Sequence, residues 1–357
     1  MGRADGMNYA PQGRINKVCQ PGEFRFAAVG LDHGHINGMC NGLVEAGAEL
    51  AMVFDPDAAK AAALAERYPG AAIAPSEAAV LEDETIQLVA GAAVPSERCA
   101  LGLRVMASGK DYFTDKAPFT TLGQLEQAKH AVEETGRKYA VYYSERLHSE
   151  AGVFAGQLVK EGAVGRVIQV LGLGPHRLNA PTRPDWFFRR ESVGGILTDI
   201  GSHQIEQFLF YAGAADARVV DAKVANYNNK KHPELEDFGD ASLIADNGAI
   251  NYFRVDWFTP DGLPTWGDGR TLILGTDGYI ELRKYLDLVH DNQGDHVFLV
   301  NHEGTEHFAV HGTVGYPFFG ELILDCLNRT EKAMTQDHAF KAAELSLKAQ
   351  RQALRIE

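Results

Sequence analysis

The sequence predicts a two-domain α/β protein, with an N-terminal doubly wound parallel sheet and a C-terminal α+β domain built on a large, mostly antiparallel sheet. The length of 357 residues is enough for two hydrophobic cores. Between residues 24 and 143, apolar strand patterns alternate with helical patterns, as in parallel sheets. From residue 219 to 310, short β-rich runs are separated by turn pairs such as Asn247-Gly248 and Asp277-Gly278, as in antiparallel sheets.

The first domain is expected to span residues 23–145, after an N-terminal arm of residues 1–22 that is either disordered or laid over a partner subunit. Apolar runs bounded by turn residues predict its strands at residues 24–30, 50–54, 86–92, 111–114 and 138–143. Helical spacing predicts its helices at residues 35–46, 57–68, 94–108 and 123–135.

The second domain is expected to span residues 146–357. Its first elements are a helix at residues 152–161 and a strand at residues 167–171, followed by a loop rich in Pro and Arg. A helix over residues 197–213 comes next, then strands that include residues 241–245, 249–257 and 271–274. Two helices at residues 318–328 and 338–356 end the chain, and the last is a candidate to pack back on the first domain.

Composition narrows the possible partners and compartments. The formal charge of −14 argues against nucleic acid and against an anionic membrane surface. The four cysteines lie far apart, which favours reduced thiols in a cytoplasm. The first 22 residues contain no apolar signal core, and no run approaches the roughly 18 apolar residues of a membrane span. We therefore expect a cytoplasmic protein.

The stretch from residue 194 to 206 carries the clearest chemical pattern. Gly194 and Gly195 allow close approach of other groups directly before the helical pattern begins. Asp199 and His203 are four residues apart and would share a helix face. Gly201 between them costs about 1 kcal/mol relative to Ala in a helix, which predicts a close packing contact there. A carboxylate one turn from an imidazole suits proton transfer at a bound hydroxyl, although spacing alone also fits a surface pair.

The turn after the first strand is a weakened dinucleotide-binding fingerprint. Of the pattern G-x-G-x-x-G, only Gly30 matches strictly. Asp32 occupies the second glycine position, and His35 the third, while His33 and Gly34 lie between them. An acidic side chain beside a pyrophosphate is unfavourable unless it points away, so an ordinary glycine loop fits this turn equally well.

Asp55, at the end of the second strand, strengthens the dinucleotide interpretation. A carboxylate there can accept both ribose hydroxyls and would repel a 2′-phosphate, and no arginine follows closely. NAD is therefore favoured over NADP, although Asp55 could instead cap the next helix. Lys116 follows the strand at residues 111–114, at the sheet edge where doubly wound sheets bind ligands, and it could hold a substrate hydroxyl or be a solvated loop lysine.

Together these stretches resemble the Gfo/Idh/MocA family, the relatives of glucose-fructose oxidoreductase and inositol dehydrogenase. The resemblance covers about residues 24 to 357. Asp115-Lys116-Ala117 stands where the family has Glu-Lys-Pro at the end of a strand of its Rossmann-type domain. The second family motif, Gly-Gly-x-x-x-Asp-x-Gly-x-His, is matched in full.

The resemblance implies a role for each matched residue. Lys116 would orient the reacting hydroxyl, His203 would take its proton, and Asp199 would bind or steer the sugar. The residues expected at the dinucleotide are Gly30, Asp32, His33, Gly34, His35, Asp55, Pro95, Asp115 and Lys116. Ala117 replaces a proline whose preceding bond is often cis in the family, so we expect the local backbone to differ. Large sheets of this family commonly pack against one another, which implies a homodimer or homotetramer.

Other residues are weaker candidates. His33 and His35 with Cys40 lack a further ligand at metal spacing, so no metal is expected. Trp186, with Arg183, Arg189 and Arg190 nearby, could stack a sugar ring and grip an anion, or could belong to a packed loop. Glu145 and Arg146 follow the last strand of the first domain, where the family often contributes substrate contacts.

The sequence thus predicts an NAD-dependent dehydrogenase that oxidises a hydroxyl of a sugar, inositol or related polyol. Two alternatives remain. One is an NAD-using glycosidase of the same fold, and the other is a dinucleotide-binding regulator without turnover, which the weakened glycine turn permits.

Overall fold

The computed structural model describes residues 5–289 and 293–357 and divides into two compact units. The parallel-sheet unit comprises Met7–Tyr142 and Tyr316–Phe340. The mixed-sheet unit comprises Tyr143–Gly315, Lys341–Glu357 and the chain up to Gly6. Residues 1–4 of the expected arm and residues 290–292 of the expected β-rich span lie outside the described residues.

The parallel-sheet unit has six parallel strands with helices between them. Its strands are β1 (Arg25–Val29), β2 (Glu49–Phe54), β3 (Ala72–Ile73), β4 (Leu88–Gly91), β5 (Asp111–Asp115) and β6 (Tyr139–Tyr142). Its helices are α1 (Ile36–Glu45), α2 (Ala58–Glu66), α3 (Glu77–Glu82), α4 (Pro95–Ala107), α5 (Leu122–Thr135), α11 (Pro317–Asn328) and the beginning of α12 (Gln336–Gln352). The strand order is β3-β2-β1-β4-β5-β6.

Local sequence explains these elements. β4 is buried at every residue, as expected for a central strand covered on both faces. The side chain of Asp57 caps α2, and Thr121 with Gln124 forms a capping box at the start of α5. Gln336 bonds to both backbone groups of Tyr139 and so covers the edge strand β6. The predicted strands and helices of this unit are confirmed to within two residues at each end, whereas β3 and α3 were not predicted.

The mixed-sheet unit packs short helices on a nine-stranded sheet. Its helices are α6 (Ser144–Leu147), α7 (Glu150–Lys160), α8 (Arg190–Val193), α9 (Ile196–Asp199) and α10 (Gly201–Ala212), followed by the rest of α12. Its strands are β7 (Val167–Pro175), β8 (Ala217–Ala225), β9 (Phe238–Ala245), β10 (Ile250–Asp256), β11 (Arg270–Gly275), β12 (Gly278–Arg283), β13 (His296–Asn301), β14 (Gly304–Ala309) and β15 (Leu354–Ile356).

The sheet order is β14-β13-β12-β11-β7-β10-β9-β8-β15. All neighbours are antiparallel except β7 with β10 and β8 with β15. Burial alternates along β9, so one face of the sheet is packed and the other is open. On the open face Tyr252 lies opposite Leu171, which in turn lies opposite Leu272, and both Tyr252 and Leu272 are exposed.

Three expectations about the chain ends need correction. The described part of the arm packs on the chain's own units: residues from Met7 onward belong to the parallel-sheet unit, where Met7 and Asn8 lie against Gly34, and Gly6 belongs to the mixed-sheet unit. The last helix was expected to pack back on the first domain, but all of α11 and only the beginning of α12, up to Phe340, belong to the parallel-sheet unit. The chain ends in β15 instead of a continued helix, since residues 354–356 pair with β8.

The boundary between the parallel-sheet unit and the mixed-sheet unit lies after Tyr142, three residues before the predicted boundary at residue 145. Among the described residues, no helix is both long and apolar enough to cross a bilayer.

Candidate active site

The glycine pair of the second motif forms the connection between α8 and α9. Gly194 has φ +87° and Gly195 has φ +100°, with ψ 166° at the latter, a conformation essentially restricted to glycine. A Cβ on Gly195 would lie 2.4 Å from the carboxamide of Gln350. The pair is therefore required both by its backbone angles and by the close approach of α12.

Two polar side chains then hold the start of α9. Glu236 accepts the Ile196 N–H at 3.0 Å, and Gln350 accepts the Leu197 N–H at 2.8 Å. Gln350 also donates to Glu236 at 3.0 Å, so the two acceptors are tied to each other. They satisfy N–H groups that a helix start leaves unpaired.

Asp199 and His203 occupy two short helices instead of one continuous helix. Asp199 ends α9, Ile200 lies between the helices, and His203 is in the first turn of α10. The Ser202 hydroxyl donates to the Asp199 carbonyl at 2.8 Å and braces this junction. His203 is only 2% exposed. The close contact predicted at Gly201 is confirmed, because a Cβ there would lie 3.2 Å from the Phe253 ring.

Glu145 is bonded to the residue that follows His203. Gln204 donates to one carboxylate oxygen of Glu145 at 3.0 Å, and Lys284 donates to the same oxygen at 2.9 Å. Burial alone would raise the pKa of Glu145, but Lys284, then His203 and His176, outweigh burial and leave that pKa well below its ordinary value. Sequence reasoning proposed Glu145 as a substrate contact and missed Lys284, which has no local motif.

The neighbouring substrate candidates are already engaged within the protein. Arg146 forms a buried ion pair with Glu206 and lies 3.7 Å over the Phe210 ring. Arg183 is buried and donates to backbone carbonyls. Trp186 is half-buried in a 3₁₀ turn, Asp185–Phe188. Phe187 of this turn, but not Trp186, lines a small pocket of about 20 Å³ that also includes Asp199. Substrate contact by Arg146 or Trp186 stays a prediction.

In the parallel-sheet unit, the turn after β1 keeps its glycine where geometry demands one. Gly30 has φ +71°, and a Cβ on it would lie 2.9 Å from Ala93. Asp32, in the second glycine position, is turned to Lys60 at 2.6 Å and accepts the Val94 N–H at 3.3 Å. Its charge is therefore neutralised inside the unit.

The next residues of the turn converge on Asp115. His35 Nδ1 lies 2.9 Å from one carboxylate oxygen, and His33 Nδ1 lies 3.4 Å from the other. The fully buried Arg98 donates to Asp115 at 3.1 Å. Burial alone would raise the pKa of Asp115, but His35, Arg98 and His33 hold it well below its usual range. Burial, and next the charge of His35, hold the pKa of His33 well below its ordinary value, so this ring is neutral at pH 7.

This cluster bears on the expectation of no metal. His33, His35 and Asp115 place ligand atoms within 4.8 Å of one another, a grouping that the sequence did not reveal. The guanidinium of Arg98 lies on the same carboxylate and would repel a divalent cation. The absence of a metal stays a prediction.

The remaining dinucleotide candidates lie at the carboxyl ends of the strands. Asp55 follows β2 and accepts the Leu31 N–H at 2.7 Å and the Asp57 N–H at 2.8 Å. Pro95 is the first residue of α4. Gly34 lies under the arm, because a Cβ there would lie 2.5 Å from the Met7 carbonyl.

Lys116 directly follows β5 and is 5% exposed. Its peptide bond with Ala117 is cis, so the expected departure from the family's local backbone is not observed. Arg98 donates to the carbonyl of Lys116 as well as to Asp115. The buried Arg98 thus fixes the end of β5 by hydrogen bonds to Asp115 and to the Lys116 carbonyl.

Comparison with known proteins gives two family matches. Residues 24–143 match the oxidoreductase family with an NAD-binding Rossmann fold, and residues 154–281 match the GFO/IDH/MocA C-terminal domain. A crystal structure of a protein from Erwinia carotovora atroseptica SCRI1043, assigned as an oxidoreductase, is 52% identical, with a TM-score of 0.91 over 94% of this chain and 100% of that chain.

More distant relatives include proteins named for sugar and polyol oxidation. The D-xylose dehydrogenase of Paenarthrobacter nicotinovorans is 26% identical over 209 residues, which are 57% of this chain and about half (52%) of that relative's length. A protein from Sinorhizobium meliloti 1021 assigned as a myo-inositol dehydrogenase is 19% identical, with a TM-score of 0.71 over 90% of this chain and 95% of that chain, and this likeness shows the fold. With both domains matched and a half-identical relative along nearly its whole length, the chain belongs to the Gfo/Idh/MocA family of oxidoreductases.

Proposed function

We propose that the protein is an NAD-dependent dehydrogenase that oxidises a hydroxyl of a sugar, inositol or related polyol. The observation that carries this proposal is the second motif, in which a buried His203 follows a helix start fixed by Glu236 and Gln350. A base held in one position by buried bonds is what proton abstraction needs. The D-xylose dehydrogenase relative supports a sugar or polyol as the substrate.

The residues of the parallel-sheet unit fit a dinucleotide. Gly30 keeps the left-handed turn after β1, and the charge of Asp32 is neutralised by Lys60. Asp55 accepts two backbone N–H groups and retains lone pairs for ribose hydroxyls. We infer NAD over NADP because Asp55 would repel a 2′-phosphate and Lys60, on the next helix, is tied to Asp32. When bound, NAD supplies the hydride acceptor.

The chain's own residues would manage the proton. Lys116 is assigned to align the reacting hydroxyl and to stabilise its developing alkoxide. His203, as a neutral imidazole, accepts the hydroxyl proton. Asp199 is assigned to bind a neighbouring hydroxyl of the substrate, which would fix the orientation of the reacting carbon.

The first experiment is a screen of sugars, sugar acids and inositols for NAD reduction, followed by absorbance. With the best substrate, His203→Ala should lower turnover by a factor of about 10²–10⁴ while sparing NAD affinity. The rate of substrate oxidation by the parent protein should decrease at pH values below the pKa of His203, which is about 6.5 for an unperturbed imidazole. The matched control is His130→Ala, which removes a 70% exposed imidazole from α5 and should leave turnover unchanged.

Two results would overturn the proposal. Turnover by His203→Ala within a few-fold of the parent, with the same acid limb, would make His203 a structural residue. Tight NAD binding without turnover of any substrate in the panel would favour the dinucleotide-binding regulator.

A further inference from the structure

A buried ion pair in the mixed-sheet unit has no part in the chemistry assigned so far. Glu145 of α6 and Lys284, directly after β12, meet at 2.9 Å, with side chains 3% and 0% exposed. Burying two charges is unfavourable unless further hydrogen bonds complete the pair. Here those bonds come from two glutamines of α10, the helix that carries His203.

Both glutamines follow His203 in α10, at the next position and one turn further along. Gln204 donates to Glu145 at 3.0 Å, and its side chain fits against β7, where a Cβ on Gly172 would lie 2.2 Å from it. Gln207 accepts from Lys284 at 2.9 Å through its carbonyl oxygen and donates to the His203 carbonyl at 3.0 Å. The ion pair is therefore bonded to α10 at two positions, both within about one turn after His203.

One carboxylate oxygen of Glu145 is not used in the ion pair. Within the described residues, Glu145 Oε1 is buried without a hydrogen-bond partner and lies 3.7 Å from His176 Nε2. The other oxygen takes both Gln204 and Lys284. The negative end of the pair thus lies beside the His176 imidazole, and the positive end lies at Gln207. The charge of His203 also helps to lower the pKa of Glu145, so the carboxylate and the His203 imidazole interact electrostatically.

Three other titratable groups lie near His203 in space or in sequence, namely Tyr143, Glu206 and Asp199. Tyr143, which precedes α6, has its ring 6.2 Å from the His203 ring, and burial raises the pKa of Tyr143 well above its usual value, so this phenol is neutral. Glu206, one turn along α10, is paired with Arg146. Asp199, at the end of α9, interacts with the charge of Arg183. Burial lowers the pKa of Arg183, and the charges of Asp5 and Asp199 offset this lowering only in part.

We propose that Glu145 and Lys284 are positioning residues that hold α10 and favour protonation of His203 during turnover. This inference rests on the proposed function of His203 as the proton acceptor. The proton passes from the substrate hydroxyl to the imidazole and stays there, while Glu145 remains a carboxylate and stabilises the imidazolium. Lys284 keeps Glu145 ionised and fixes its direction through the two glutamines.

The test measures the pKa of the His203 imidazole by NMR titration of the full chain, with the signal assigned from His203→Gln. Glu145→Gln removes the carboxylate charge that interacts with His203 and should lower that pKa by about one unit, the low end of the range for a nearby opposite charge. Glu145→Gln combined with Lys284→Met removes both charges without stranding either, and should lower the pKa by a smaller amount. Asp295→Asn is the matched control, because it neutralises another buried carboxylate of the same unit, one that directly precedes β13 and accepts the Ala151 N–H of α7.

A His203 pKa that is unchanged in both Glu145 variants would overturn the proposal, as would an equal shift in Asp295→Asn. The acid limb of kcat/KM should move by the same amount as the NMR pKa, which a purely structural role would not cause. If His203→Ala retains turnover, the proposed function fails while the NMR comparison still stands. If His203→Ala is inactive and Glu145→Gln leaves the pKa unchanged, the positioning role alone fails.

Discussion

Gly195→Ala is the substitution whose cost the structure defines most directly. The residue has φ +100° and ψ 166°, where an L side chain costs about 1–3 kcal/mol of folding free energy. The new methyl would also lie 2.4 Å from Gln350 Cδ, so that side chain must move. Moving it removes the acceptor of the Leu197 N–H, and an unpaired buried donor costs about 1–3 kcal/mol more. Together these contributions predict a loss of about 2–6 kcal/mol in the free energy of unfolding.

Tryptophan fluorescence during urea unfolding is the appropriate assay, because all three tryptophans, Trp186, Trp257 and Trp266, belong to the mixed-sheet unit that contains Gly195. Gly201→Ala is the matched control from the same motif. Its Cβ would make tight contacts of 3.2–3.5 Å, but ordinary helical angles let Ala gain about 1 kcal/mol over Gly. The control should therefore stay within about 1 kcal/mol of the parent protein.

A double-mutant cycle with Gln350→Ala separates the two contributions to the cost. With the carboxamide removed, Gly195→Ala should retain its backbone cost and lose the cost of displacing Gln350. The two substitutions should therefore couple by about 1 kcal/mol or more. Strict additivity, or a loss below about 1 kcal/mol for Gly195→Ala alone, would refute this account of the glycine pair.

Three further predictions concern the cofactor, assembly and acid stability. Asp55→Asn keeps a carbonyl acceptor but removes the charge, so it should narrow the preference for NAD over NADP in fluorescence titrations; equal affinities in the parent would contradict the cofactor assignment. The open sheet face should join two or more copies of the chain, so the particle mass measured by light scattering should exceed the 38.9 kDa of one chain. Leu272→Lys places a charge on this face and should reduce that mass. Asp115→Asn should cost about 3–5 kcal/mol at pH 7, because Arg98 is left buried without its carboxylate. Since the folded-state pKa of Asp115 is lowered, this difference should persist above about pH 4 and shrink below it, as followed by circular dichroism.

Most of the fold could be predicted because it depends on local patterns. Apolar runs of four or more residues marked the inner strands, and helical spacing marked the helices between them. β3 escaped because it has only two residues, both exposed. β15 escaped because residues 354–356 continue a helical composition, and only their pairing with β8 makes them a strand.

The candidate site could be predicted only where its residues are neighbours in sequence. Asp199 and His203 belong to one short motif, so spacing alone related them. Gln350 accepts the Leu197 N–H at the start of α9 from 153 residues further along the chain. Lys284 bonds to Glu145 across 139 residues. Contacts of that separation leave no periodic signal. The nearest available hint was the alternate glycines of β7, whose missing side chains make room for Gln204.

Buried ion pairs lie next to both side chains that we propose take part in the reaction, Lys116 and His203. Arg98 holds both Asp115 and the carbonyl of Lys116, and the Glu145–Lys284 pair is bonded to the turn that carries His203. Because an unpaired buried charge costs several kcal/mol, each pair can form only when the surrounding backbone has its native position. A single substitution in either pair is therefore expected to change both the position and the local charge of the side chain beside it, Lys116 or His203. Replacing both partners by neutral side chains leaves no stranded charge, so the change in the His203 pKa that remains measures the loss of the intact pair rather than the penalty of breaking it.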